Sequence, residues 1–140
     1  MRMTLHTSYY GNPFLDRNKI YSVRISNTAP GGYPIDHILQ EVIPFWDTIV
    51  GPFKDGKITE EEFAIRYRRM LDSRESNIKM MLETLKRNAR SLEREDMVFL
   101  YYEKSGRFCH RHVLAEWLEE RLGETVEEYN NPGTLEPTLF

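Results

Sequence analysis

Met97-Val98-Phe99-Leu100-Tyr101-Tyr102 is an unbroken run of apolar and aromatic side chains. A strand with one wet face alternates apolar with polar residues. A continuous run instead marks a strand covered on both faces, as at the centre of a parallel sheet. Two more strands precede it. Met3 to Tyr10 mixes β-branched, aromatic and polar residues and stops at Gly11-Asn12-Pro13. Ile20 to Ser26 alternates and runs into Pro30-Gly31-Gly32-Tyr33-Pro34.

Helical patterns fill the intervening chain. Asp36 stands where it would cap a short helix carrying Ile38, Leu39, Val42 and Ile43, which Pro44 would end. Gly51-Pro52 reads as a break. Thr59-Glu60-Glu61-Glu62 is a capping box, and the helix behind it presents Phe63, Tyr67, Met70 and Leu71 on one face. Ile78, Met81, Leu82, Leu85 and Ala89 mark a second helix at the same period. A last helix turns Leu114, Trp117 and Leu118 inward and closes at Gly123, and Thr125 to Tyr129 reads as a short strand.

Strands joined by long helical crossovers predict an α/β fold in three layers, a small, mainly parallel sheet flanked by helices. The organisation expected is one α/β domain over residues 1–129 and a C-terminal tail over 130–140, where prolines and a glycine interrupt any pattern. In such sheets ligands sit outside the carboxyl ends of the strands. That rule points to Tyr9 to Asn12, Arg24 to Asn27, and Tyr102 onward.

The formal net charge of -3 offers no general attraction to phosphate backbones. The one cysteine, Cys109, excludes an intramolecular disulfide and fits a reducing compartment. Met1 to Tyr10 has neither the charge pattern nor the apolar run of a leader. No stretch approaches the roughly 20 apolar residues that span a bilayer. The expectation is a cytoplasmic protein with no membrane partner.

Reactive side chains are concentrated in one place, Glu103-Lys104-Ser105-Gly106-Arg107-Phe108-Cys109-His110-Arg111-His112. The loop after the central strand enters the last helix near His110. A helix N-terminus offers unpaired amides and partial positive charge, so it favours anions, and it lowers the pKa of a cysteine placed there. The functional reading is an anion pocket in which Cys109 is a nucleophile, Arg111 holds the anion, His110 or His112 moves protons, and Glu103 orients a histidine or acts as base. Ser8, Tyr9, Asn12, Arg24 and Ser26 complete the polar lining, with Arg24 as a second cation. The ligand expected is small and phosphate- or carboxylate-bearing, a nucleotide among the candidates, and no cofactor is indicated.

Two other readings stand beside it. In one, the domain is a noncatalytic module for nucleic acid or a protein. Cys109 is then a small buried residue, Glu103 pairs with Arg111, and the segment is a structural clasp; an exposed patch around Phe45, Trp46 and Phe53 would favour a protein partner. In the other, Cys109, His110 and His112 bind zinc with a fourth ligand from Glu103, His6 or His37, although neighbours two apart on a helix face different ways. Cys-x-x-Cys and phosphatase-type spacings are absent. Asp55-Gly56-Lys57-Ile58 with Glu62 matches only half of a calcium loop, because Gly51 and Phe53 stand where carboxylates are needed. Arg66, Arg68 and Arg69 lie beside Glu60 to Glu62 and read as a solvated face with local ion pairs.

Thr7-Ser8-Tyr9-Tyr10-Gly11-Asn12, Val23-Arg24-Ile25-Ser26, Tyr102-Glu103-Lys104 and Phe108-Cys109-His110-Arg111-His112 together resemble the DUF488 family of domains of unknown function. Lys54-Asp55-Gly56-Lys57-Ile58 and Val113-Leu114-Ala115-Glu116-Trp117-Leu118 are similar to it as well. The resemblance covers about Leu5 to Val126, with the Cys-His-Arg segment as its most specific mark. It implies a small α/β fold, a working site at Cys109, His110 and Arg111, and metal binding by the cysteine and histidines as one suggested role.

Overall fold

A computed structural model describes residues 3–102 and 110–129. Glu103 and Cys109, and the tail over 130–140, lie outside the described residues. The elements in chain order are β1 (Thr4–Tyr9), β2 (Ile20–Arg24), β3 (His37–Ile38), α1 (Gly51–Lys54), α2 (Glu60–Ser73), α3 (Glu75–Ser91), β4 (Asp96–Tyr101), α4 (His110–Leu122) and β5 (Val126–Glu128). A 3-10 turn at Gln40–Val42 and a π-helical turn at Trp46–Val50 lie between β3 and α1.

The strands form one sheet in the order β3-β2-β4-β1-β5, and every pairing is parallel. β4 is central, and Met97, Val98, Phe99 and Leu100 have no exposed surface. Its side chains alternate between two cores. Met97 and Phe99 join Tyr21, Val23 and Ile25 under α2, α3 and α4, through Tyr67, Leu82, Leu85, Leu114 and Trp117. Val98 and Leu100 face the other way, onto Tyr10 and Ile20, with Leu15, Tyr33, Ile35 and Tyr129 packed around them. The fold is thus a three-layer α/β domain, and connecting segments make up its third layer.

Two local expectations are corrected. Asp36 caps no helix. Its Oδ2 accepts from the Ser22 amide at 2.8 Å and from Ser22 Oγ at 3.1 Å, which pins the following residues beside β2. His37 and Ile38 therefore pair as a strand, and only the 3-10 turn remains of the expected helix. Gly51-Pro52 does not break the chain either. The π turn runs directly into α1, and Pro52, which has no N–H to give, sits in its first turn. The capping box forms as read: Thr59 Oγ1 accepts from the Glu62 amide at 3.0 Å.

The strand order sets where neighbouring connections diverge. The chain leaves β2 outward to β3, and leaves β4 in the opposite direction, past β1, to β5. Connections diverging from neighbouring strands open a crevice at their carboxyl ends. Here that crevice lies between β2 and β4. Among the described residues, no helix is long and apolar enough to cross a membrane.

Candidate functional site

The first turn of α4 lies against the carboxyl ends of the strands. His110 is fully buried; its Nε2 donates to the Ile25 carbonyl at 2.8 Å. Its ring packs edge-on to Tyr101, with centroids 3.8 Å apart, and contacts Tyr67. Burial holds the imidazole pKa down to about 3; Arg111 lowers it further, and the Ile25 bond opposes the shift. The ring is neutral at physiological pH. Its Nδ1 is a buried acceptor with no hydrogen-bond partner among the described residues.

Arg111 also has no exposed surface, and its Nε donates to Glu128 Oε1 at 2.9 Å. The same oxygen accepts from His112 Nε2 at 3.2 Å and from Thr7 Oγ1 at 3.3 Å. Burial pushes the Glu128 carboxyl up, but the bonds and charges of His112 and Arg111 outweigh it and leave the pKa below its ordinary value. Glu128 is on β5, whose register places it beside Thr7 on β1. Among the described residues, the carboxylate bonded to the first turn of α4 is Glu128, which the sequence reading did not include.

The third layer holds a second polar set. Asn12 Nδ2 donates to Ser8 Oγ at 3.0 Å, and Asn12 Oδ1 accepts from the Phe14 amide, closing the turn after β1. The Tyr9 ring lies against Gly11. Tyr10 donates to Ser26 Oγ at 2.7 Å, and the Ser26 hydroxyl donates to the Thr28 carbonyl. Burial pushes the Tyr10 phenol up to about 12, against the Ser26 bond and the Arg24 charge. Arg24 donates to the carbonyls of Ser26 and Asn27, so it organises the loop after β2.

Between the two sets, at the β2 and β4 ends, is a cavity of about 300 Å3. Its described lining comprises Ser26, Asn27, Thr28, Trp46, Val50, Lys54, Tyr101 and Tyr102. Trp46, Val50 and Lys54 are spaced by four along the continuous helical segment, so one stripe of it forms a wall. Lys54 is the one charged side chain in that described lining.

The profile of the active DUF488-N3 subclade matches residues 14–122, well over half of the chain. The chain belongs to the DUF488 family. No curated protein and no solved structure matches it. The matched segment of this DUF488 protein takes in the Cys109–His112 stretch and the cavity wall, and it stops short of Glu128.

His110, Arg111 and His112 thus gather at the β1, β4 and β5 ends, while Ser8, Asn12, Arg24 and Ser26 gather in the third layer. Ser26 alone of these also lines the cavity. Lys54 and Trp46 are among the lining residues that sequence reasoning named without placing them at a site. The signal was their spacing on one helical stripe. Among the described residues, no group of three His, Cys, Asp or Glu side chains is placed to hold a metal ion. Of the three residues whose exposure would favour a partner surface, Phe45 and Trp46 are exposed, Phe45 beside the Arg74 guanidinium and Trp46 at the cavity, while Phe53 packs inward on Phe63.

The depressed His110 pKa has a defined consequence. As pH falls below about 6.5, the unfolded chain takes up a proton that folded His110 refuses, so stability falls, by up to about 1.4 kcal/mol per pH unit. Urea denaturation between pH 6.5 and 5 should show a flatter profile for His110→Gln than for the wild type. An unchanged slope contradicts the buried neutral imidazole.

Proposed function

We propose that this domain binds a small anionic ligand, phosphate- or carboxylate-bearing, in the cavity at the carboxyl ends of β2 and β4. Lys54 receives the anion. The observation that carries this reading is a cavity at the sheet's switch point whose described lining has a cation and no carboxylate. In this reading Arg111 keeps its Nε on Glu128 and fixes α4, because breaking a buried ion pair costs about 3–5 kcal/mol. Lys54, an exposed residue of the cavity lining, receives the anion.

The enzyme-like part of the proposal rests on Cys109, which directly precedes the first residue of α4 in sequence. A thiolate next to a helix N-terminus is stabilised by the same partial charge that favours an anionic ligand. Buried, neutral His110 supplies no proton at physiological pH, which leaves half-exposed His112 as the candidate proton carrier.

Inorganic phosphate should raise the melting temperature of the wild type beyond the effect of chloride at equal ionic strength, and Lys54→Met should lose most of that gain. Equal gains in both proteins, or none in either, would sink the assignment. Alkylation by iodoacetamide reads Cys109 alone, since the chain has no other thiol. Its pH midpoint should fall below the ordinary value of about 8.5, and phosphate should slow it. A thiol that reacts only after unfolding excludes Cys109 as nucleophile.

A further inference from the structure

The cavity has a feature that anion binding alone does not call for. Trp46 is half exposed, yet its position is fixed by the backbone beneath it. Its indole lies down on Gly51: a Cβ at Gly51 would come within 2.9 Å of the Trp46 carbonyl oxygen and 3.4 Å of the indole Nε1. The π turn and the glycine together hold an aromatic face open against the cavity. π turns of this kind recur at functional sites. The protein's other tryptophan, Trp117, shows the contrast: it is fully buried, and its indole donates to Asp72 at 2.9 Å.

The remaining walls are chemically distinct. Tyr102, also partly exposed, adds a second ring and bonds Thr28 through its hydroxyl. Asn27 and Thr28, both exposed, bring an amide and a hydroxyl. Lys54 lies one helical turn after Gly51 and lines the same cavity as Trp46. An aromatic platform, a polar wall and a cation match a ligand with a planar ring, a hydroxylated linker and an anionic end. The volume of about 300 Å3 is at the lower end of small-molecule sites, which limits the ligand to a small one.

Resting on the anion-binding reading above, we infer that the ligand is a nucleoside monophosphate, its base stacked on Trp46 and its phosphate held by Lys54. Stacking of a base on an aromatic side chain is worth about 1–3 kcal/mol, which makes Trp46 the residue that selects nucleotides over other small anions.

The test is titration of the full chain with AMP, ribose 5-phosphate and adenosine, by calorimetry and by tryptophan fluorescence. AMP should quench Trp46, the exposed fluorophore, and bind about tenfold tighter than ribose 5-phosphate. Trp46→Leu, a substitution at a surface position, should weaken AMP about tenfold and leave ribose 5-phosphate unchanged. Lys54→Met should weaken AMP and leave adenosine unchanged. Equal binding of AMP and ribose 5-phosphate, insensitive to Trp46→Leu, overturns the nucleotide inference and leaves the anion site standing. Failure of both phosphates to bind overturns the site and the inference together.

Discussion

A guanidinium with no exposed surface has to be neutralised where it sits, and in this domain Glu128 does so. The pair joins the first turn of α4 to the last strand of the sheet. Thr7 on β1 and His112 on α4 bond the same carboxylate oxygen, so three elements meet at one atom. α4 can then enter the fold in only one orientation. His110, one residue earlier, is carried under the end of β4 with its ring against Tyr101 and its Nε2 on the Ile25 carbonyl. The buried neutral imidazole and the placement of the α4 N-terminus both follow from that anchor.

The carboxyl ends of the strands divide into regions with different physics. Over the helical face, the polar groups of α4 are buried and mutually bonded, which gives rigidity and leaves little capacity for a ligand. In the third layer, Ser8, Asn12, Tyr10, Ser26 and Arg24 satisfy one another or nearby carbonyls and shape the loops. The cavity lies between them, and its described lining includes the exposed side chains of Trp46, Lys54 and Tyr102. A site on a rigid frame with a few accessible groups is what small-ligand binding requires.

Much of the fold was legible in the sequence because burial leaves a periodic trace. The run from Met97 to Tyr102 announced a strand wet on neither face. Thr59 with Glu62, and the stripe from Ile78 to Ala89, announced their helices. Asp36 was misread because its partner is not local: the same residue type caps a helix or ties two strands, and Ser22 decides between them. Glu128 was missed for a related reason. In a stretch holding Glu124, Glu127 and Glu128 it looks like a solvated face, and only the parallel register of β5 on β1 sets it beside Thr7. The bond from Arg111 to Glu128 was likewise invisible in sequence, because the two residues lie on different elements. Trp46 was read only as part of a possible partner patch, because its place in the cavity wall arises from a π turn that no apolar period encodes.

The anchoring role of the Arg111–Glu128 pair is tested most directly by a double-mutant cycle. Arg111→Met and Glu128→Gln would be made singly and together, and unfolding free energies measured in urea. A load shared through one buried contact predicts a coupling of at least about 2 kcal/mol, with the double variant far more stable than the sum of the single losses implies. Losses that add within about 0.5 kcal/mol would show that the two residues act independently, and α4 would then owe its position to its apolar face alone.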